Sequence, residues 1–124
     1  MNQLKVLYVD DDFINRKLLK NILDKNPYIY ETLEAQDGQE ALELLNKNRD
    51  TDFIILDIIM PGLDGLQTLE YLRKDPRFKD IPVIVLSTDD TQKTKAIEAG
   101  ANDFISKPIK EKELTEKIKK YGSL

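Results

Sequence analysis

The sequence contains no cysteine, no histidine and no tryptophan among its 124 residues. The absence of cysteine excludes disulfide bonds, thiolate zinc sites and cysteine nucleophiles. The absence of histidine excludes imidazole metal ligands and every Ser-His or Cys-His catalytic pair. Any chemistry must therefore come from carboxylates, hydroxyls, lysines and the backbone.

An excess of positive charge and a long apolar run are also absent. The chain has 19 Lys and Arg against 23 Asp and Glu, a net charge of −4, which disfavours direct binding to nucleic acid or to an anionic membrane surface. Its longest apolar runs, such as Phe53 to Leu56, are far shorter than the ~20 residues of a membrane span. The first residues do not read as a signal peptide, so we expect a cytoplasmic, soluble protein.

Short runs rich in Val and Ile alternate with longer stretches of helical period. This alternation predicts a parallel sheet with helices on both faces. The predicted strands are Leu4 to Val9, roughly Thr32 to Ala35, Phe53 to Leu56, Val83 to Leu86 and Phe104 to Ser106.

Between the strands, apolar residues recur at spacings of three and four, the pattern of helices with one buried face. In the first helix these residues are Ile14, Leu18, Leu19, Ile22 and Leu23, followed by the stop signal Asn26-Pro27. The other helices are predicted after Asp37-Gly38, from about Gly65 to Pro76, around Thr91 to Ala99 with Gly100 as the end signal, and over Leu114, Ile118 and Tyr121.

Five strands and five helices in alternation predict an α/β fold, a flavodoxin-like (βα)5 three-layer sandwich whose five-stranded parallel sheet has the order 2-1-3-4-5. In that order the first and third strands are neighbours. Between them lies the point where successive strands begin to be added on the opposite side of the first strand. A ligand is expected beyond the carboxyl ends of these two strands.

Charged and hydroxyl residues begin where four of the five strands end: Asp10-Asp11-Asp12, Asp57, Ser87-Thr88 and Ser106-Lys107-Pro108. Carboxylates ~4 Å apart repel by about 4 kcal/mol at an effective dielectric of ~20, so the cluster requires a compensating charge. Mg²⁺ suits it, because this ion binds through one or two carboxylates and leaves room for a phosphoryl oxygen. With Lys107 opposite, Asp57 can act as a nucleophile toward phosphorus, and Ser87 can donate a hydrogen bond to the same group.

Other aspartates have a simpler interpretation. A lone Asp at the end of a strand usually caps a helix or forms a turn. Asp12, Asp37, Asp64 and Asp80 are interpreted in this way, whereas Asp10, Asp11 and Asp57 converge at one point of the sheet.

The chain resembles response-regulator receiver domains of the CheY-like type over its whole length. The resemblance rests on four segments taken together: Val9-Asp10-Asp11, Leu56-Asp57-Ile58-Ile59-Met60-Pro61-Gly62-Leu63-Asp64-Gly65, Pro82 to Ser87, and Gly100 to Pro108. It implies a single receiver domain over residues 1–124 of this chain, with no output domain, and a cis peptide at Lys107-Pro108.

The resemblance also implies roles for individual residues. Asp57 is the phosphoacceptor, and Asp11, Asp57 and the backbone carbonyl of Ile59 bind Mg²⁺, while Asp10 holds a metal-bound water. Lys107 contacts the phosphoryl group. The Ser87 hydroxyl moves onto that group, and Phe104 is the aromatic switch that rotates inward with it; a plain core or interface role for Phe104 is left open.

Three positions are expected to set rates. In the family, Thr88 occupies a position that is most often Ala or Gly, and its bulk narrows access to Asp57. Side chains at the positions of Ile59 and Asp89 flank the path of the hydrolytic water. Because an apolar Ile59 cannot position that water, we expect a slowly hydrolysing phosphoaspartate.

The implied partners are a sensor histidine kinase or histidine phosphotransfer protein as donor, and a downstream protein that binds the face of the fourth helix, fifth strand and fifth helix. That face carries seven lysines, which are either a solvated surface or a site for an acidic partner: Lys93, Lys95, Lys110, Lys112, Lys117, Lys119 and Lys120. A phosphorylation-dependent homodimer is left open. The chain is expected to be a phosphoacceptor that assists its own phosphorylation and dephosphorylation, not an enzyme.

Three other classes are weighed against this interpretation. A flavin-binding electron carrier shares the fold, but three aspartates after the first strand would repel its phosphate. A Mg²⁺-dependent phosphatase with an aspartate nucleophile fits Asp10-Asp11-Asp12 but leaves Asp57 without a role. A pseudo-receiver that binds partners without phosphorylation is disfavoured by the intact acidic set.

Overall fold

Strands and helices alternate strictly along the chain. The structure, a computed structural model, describes residues 3–58 and 64–122. Its strands are β1 (Leu4–Val9), β2 (Ile29–Ala35), β3 (Phe53–Asp57), β4 (Val83–Ser87) and β5 (Asp103–Ser106). Its α-helices are α1 (Phe13–Asp24), α2 (Gly38–Lys47), α3 (Gly65–Lys74), α4 (Lys93–Glu98) and α5 (Glu111–Tyr121).

The strands form one parallel sheet in the order β2-β1-β3-β4-β5. The register pairs Val6 with Phe53, Ile54 with Val83 and Ile84 with Asp103. This architecture confirms the predicted flavodoxin-like fold and strand order. All carboxyl ends of the strands consequently lie at one edge of the sheet.

Side chains that alternate along each strand build two cores, one on each face of the sheet. Leu7 and Val9 of β1 belong to the core under α2, α3 and α4, together with Leu45, Leu69 and Ala96. Val6 and Tyr8 of the same strand belong to the core under α1 and α5, together with Leu19, Leu23, Leu114 and Ile118. The three-layer arrangement follows from this division, and it explains why β1, β3 and β4 are buried throughout.

Predicted and observed boundaries differ by one to three residues at several elements, and two starts show the reason. Strand β2 begins at Ile29, three residues before the predicted Thr32, because its polar residues Tyr30 and Glu31 can remain exposed on an edge strand that pairs only with β1. Helix α4 begins at Lys93 rather than Thr91, since a short 3-10 turn over Asp90–Gln92 precedes it.

The predicted buried face of α1 was also partly wrong. Ile14 is 68% exposed and Leu18 is 41% exposed, whereas Arg16, Leu19, Ile22 and Leu23 are buried. The arc of apolar residues on α1 is wider than the sheet can cover. Apolar side chains therefore remain at the surface of this helix.

The predicted helix caps were confirmed. The side chains of Asp12 and Asp37 accept hydrogen bonds from the amides of Ile14 and Glu40, and Asp64 forms a reciprocal capping box with Gln67. Gly100 ends the α4 segment with a φ of 115°, a left-handed conformation that favours glycine. The Lys107-Pro108 peptide is cis, as the resemblance predicted. None of the helices in the described parts of the chain is long and apolar enough to cross a bilayer.

Candidate functional site

The carboxyl edge of the sheet gathers the predicted site residues from four strands. Asp10 directly follows β1, Asp57 ends β3, Ser87 ends β4, and Lys107 directly follows β5. Asp10, Asp57 and Ser87 are buried, whereas Asp11 is exposed. The parallel topology thus brings together residues that are far apart in the sequence.

Three carboxylates form the centre of this edge. One oxygen each of Asp10, Asp11 and Asp57 lies within 4.8 Å of the other two. Carboxylates are hard oxygen ligands that Mg²⁺ accepts, and side chains this close together can share one ion. The three residues therefore suit a divalent cation.

Lys107 supplies positive charge next to two of these carboxylates. Its Nζ lies 3.0 Å from Asp10 Oδ2 and 3.4 Å from Asp57 Oδ2. Burial by itself lowers the pKa of the ammonium, but the hydrogen bond to Asp10 and the charges of Asp57 and Asp10 outweigh burial and raise the pKa above its usual value. Lys107 is therefore cationic throughout the physiological pH range.

Asp10 is held by several hydrogen bonds. Its amide donates to Ala35 O at 3.2 Å, and its Oδ1 accepts from the amide of Asp12 at 2.9 Å. Its backbone carbonyl accepts from Arg16 Nη1 at 2.9 Å. Both the backbone and the side chain of Asp10 are consequently oriented before any ligand arrives.

Arg16 is part of a network that the sequence analysis missed. Its Nε donates to Glu34 Oε2 at 2.7 Å, and Glu34 Oε1 accepts from the Tyr8 hydroxyl at 2.9 Å. Burial and the neighbouring Glu34 raise the pKa of Tyr8, so its hydroxyl stays protonated as a donor. One signal was available in the sequence, because Arg16 lies in phase with Leu19 and Leu23 on the buried side of α1.

The residues that follow β4 are engaged locally. Ser87 Oγ accepts a hydrogen bond from the Asp89 amide at 3.0 Å. The Asp89 carboxylate caps the 3-10 turn, and the hydrogen bonds from Thr91 lower its pKa. Thr88 is exposed between them. Of the remaining predicted site residues, Phe104 is buried in the core under α2, α3 and α4, and Ile59 lies outside the described residues.

The face of α4, β5 and α5 carries the predicted lysines. All are exposed except Lys117, whose Nζ donates to Asp103 Oδ2 at 2.8 Å. The Tyr121 hydroxyl donates to the same oxygen at 2.9 Å. Burial raises the pKa of Asp103, but these donors and the Phe104 amide more than offset burial, and the net pKa lies below its usual value.

Comparison with known proteins gives consistent matches. A family model described as the response regulator receiver domain matches residues 6–119. Chemotaxis protein CheY1 of Helicobacter pylori is 39% identical over 117 residues, covering 93% of this chain and 94% of that protein. Response regulator MprA of a Mycobacterium species is 38% identical over 118 residues, covering 94% of this chain but only 49% of that protein.

Solved structures agree with these relatives. The crystal structure of a putative response regulator from Chloroflexus aurantiacus superposes with a TM-score of 0.91 at 33% identity, covering 99% of this chain and 100% of that one. The receiver domain of Francisella response regulator 1452 superposes with a TM-score of 0.87 at 35% identity, covering 98% of each chain. Fold and sequence similarity therefore extend together over nearly the whole chain.

Proposed function

The chain belongs to the family of response regulator receiver domains, and from this premise we propose that it accepts a phosphoryl group on Asp57 and changes conformation to control partner binding. The observation that carries the proposal is the position of Asp57, buried beside two further carboxylates and 3.4 Å from the ammonium of Lys107. This environment combines a fixed nucleophile with the charges that a transferring phosphoryl group requires.

The proposed reaction is a transfer between two side chains. A carboxylate oxygen of Asp57 attacks phosphorus, and the bond from phosphorus to the imidazole nitrogen of a partner's phosphohistidine breaks. The electron pair of that bond stays on the imidazole, which then takes up a proton. Mg²⁺, held by Asp11, Asp57 and the backbone carbonyl of Ile59 with Asp10 holding a metal-bound water, would neutralise charge on the phosphoryl oxygens, and Lys107 would bind one of those oxygens.

The donor is a sensor histidine kinase or a histidine phosphotransfer protein, since this chain has no histidine of its own. We propose that the donor docks on the exposed apolar patch of Phe13, Ile14 and Leu18, which are 62%, 68% and 41% exposed. The patch belongs to α1, the helix that begins two residues after Asp11. Because α1 directly follows β1, a partner bound there would present its phosphohistidine at the carboxyl edge of the sheet, where Asp57 ends β3.

The proposed output is a change on the face of α4, β5 and α5. Ser87 moves onto the phosphoryl group, Phe104 moves with it, and a downstream protein reads the result on the exposed lysines of that face. A phosphorylation-dependent homodimer through the same face is an alternative readout. The proposed setting is the cytoplasm, with no direct contact to nucleic acid or membrane.

The proposed lifetime of the phosphoaspartate is long, because Ile59 cannot orient the hydrolytic water and Asp89 caps its own turn. Thr88 narrows access to Asp57. Replacement Ile59→Asn is expected to accelerate dephosphorylation of the purified phosphoprotein, measured as loss of the phosphoryl mass with time. An unchanged rate contradicts this proposal.

The decisive experiment measures the intact mass after incubation with a small acyl phosphate and Mg²⁺. A gain of one phosphoryl group that is lost in Asp57→Asn, and lost with a chelator, supports the proposal. A folded protein that binds Mg²⁺ but gains no mass indicates blocked access at Thr88 or a pseudo-receiver. Repeated release of inorganic phosphate from many phosphomonoesters, independent of Asp57, indicates a phosphatase instead.

A further inference from the structure

We propose that Arg16 is a positioning residue for the divalent cation. Through the backbone carbonyl of Asp10, Arg16 orients the peptide that joins Asp10 to Asp11, and thereby the two carboxylates on either side of it. Glu34 and Tyr8 hold the guanidinium in place. The inference rests on the proposed function, because it concerns the cation that assists phosphorylation of Asp57.

The hydrogen bonds form one continuous chain from the core to the site. The buried Tyr8 hydroxyl donates to Glu34, the Arg16 guanidinium donates to the other oxygen of Glu34, and the same guanidinium donates to Asp10 O. The Arg16 side chain is only 9% exposed. The ring of Phe13 lies 5.8 Å from its guanidinium carbon. Such a side chain has little freedom to leave its acceptors.

The orientation of the Asp10 carbonyl determines the direction of the backbone at Asp11. This carbonyl and the Asp11 amide belong to the same planar peptide, so fixing the carbonyl fixes the direction in which the chain continues to the Asp11 Cα. Within the described residues, the Asp11 carboxylate has no hydrogen bond or ion pair with another side chain. Its direction before the cation binds therefore depends on the backbone that Arg16 holds.

The charge balance explains why Glu34 is paired with this arginine. An isolated guanidinium this close to the carboxylates would repel an incoming cation. Glu34 neutralises that charge by accepting from Arg16 Nε at 2.7 Å, and it leaves Nη1 free to donate to the carbonyl of Asp10. Arginine suits this task because its planar group donates in two fixed directions, whereas the compact ammonium of lysine does not.

The test is a Mg²⁺ titration of the ¹⁵N-labelled protein followed by amide chemical shifts, which report the fold and the dissociation constant together. Arg16→Gln is expected to raise the dissociation constant about tenfold, the lower end of the effect of losing an outer-sphere partner. Arg16→Lys is expected to recover only part of this loss. At saturating Mg²⁺ the phosphorylation rate of Arg16→Gln should return to within about twofold of the unchanged chain, because Arg16 acts by orienting cation ligands.

Arg77→Gln is the matched control, since Arg77 pairs with Asp75 outside the cation site, and its dissociation constant should not change. A folded Arg16→Gln protein with unchanged Mg²⁺ affinity overturns the inference. If that variant does not fold, Glu34→Gln and Tyr8→Phe replace it, and unchanged affinity in both has the same consequence. In the double variant of Arg16→Gln and Glu34→Gln, the loss should equal that of Arg16→Gln alone, because the two residues act as one unit. Additive losses contradict the proposed chain.

The two proposals can fail separately. Mg²⁺ binding without any mass gain at Asp57 refutes phosphorylation but still measures the role of Arg16. Absence of Mg²⁺ binding in the unchanged chain refutes both.

Discussion

At the scale of single residues, the site concentrates charge that folding does not fully neutralise. Within the described residues, the Lys107 ammonium lies beside two of three carboxylates whose oxygens are within 4.8 Å of one another. Without a cation, the cluster thus keeps an excess of negative charge in a partly buried place. This repulsion opposes folding, and a bound cation relieves it.

Removing one of these charges should stabilise the metal-free protein. Asp11→Asn is expected to raise the free energy of unfolding by about 1 kcal/mol, the repulsion of two charges at ~4 Å in a solvated setting. Urea unfolding in the presence of a chelator measures it. Asp24→Asn, which loses an exposed ion pair with Lys20, is the control and should not stabilise the protein. Destabilisation by Asp11→Asn contradicts the prediction.

Some residues of the site could be predicted from the sequence, and some of their contacts could not. Asp10, Asp57 and Lys107 were predictable because parallel strands place their carboxyl ends at one edge. The bonds from Arg16 to Glu34 and to Asp10 O were not, because a side chain's choice of acceptor depends on the packing of α1 against β2, which periodicity does not encode.

At the scale of elements, α1 has two distinct faces. One face packs Leu19 and Leu23 against the sheet, and the other leaves Ile14 and Leu18 in solvent. Exposed apolar side chains on the helix that directly follows the acidic cluster are typical of a protein interface. The helix thus has a structural side and a proposed docking side.

A charge introduced on the docking side of α1 should slow phosphoryl transfer from the protein donor but not from a small molecule. Leu18→Glu is expected to slow phosphoryl transfer from a phosphorylated histidine phosphotransfer protein at least about tenfold, the effect of losing about 1.4 kcal/mol of binding. Phosphorylation by a small acyl phosphate should not change. Ile97→Glu, an exposed apolar position on α4, is the control for added charge. Equal slowing with both donors would show that Leu18 acts on the site itself.

The stability contributed by the contact between β5 and α5 should depend on pH. Asp103, bound by Lys117 and Tyr121, has a pKa below its ordinary value of 3.8, so the ion pair stabilises the fold fully above that value. The contribution disappears as pH falls below 3.8 and through the folded-state pKa. Asp103→Asn is expected to cost about 1–2 kcal/mol at pH 7 and progressively less in acid. A pH-independent difference in unfolding free energy contradicts this assignment.

Elements differ in how well the sequence predicted them. The bounds of β1 were predicted correctly because its apolar residues end abruptly at Asp10. The start of β2 was not, because an edge strand can keep polar residues such as Glu31 and so loses the apolar signal. Propensity could not distinguish the 3-10 turn before α4 from a first helical turn.

At the scale of the whole molecule, the proposed cation binding should be coupled to folding. Because the cluster is assembled only in the folded chain, Mg²⁺ at 100 times its dissociation constant should add about 2.7 kcal/mol to the free energy of unfolding. Thermal unfolding with and without Mg²⁺ measures this gain. The Asp11→Asn protein should lose most of this gain in unfolding free energy. An equal gain in the variant and in the unchanged protein would indicate that Mg²⁺ binds outside the acidic cluster.

The contact between Lys107 and Asp10 joins residues that are 97 positions apart in the chain. At about 5–20 residues per second, a ribosome adds the lysine roughly 5–20 s after the aspartate. During most of that interval β5 has not been synthesised, and throughout it the acidic residues of the nascent chain lack their ammonium partner. A nascent chain that has not yet added Lys107 therefore cannot assemble the complete cluster of carboxylates and ammonium.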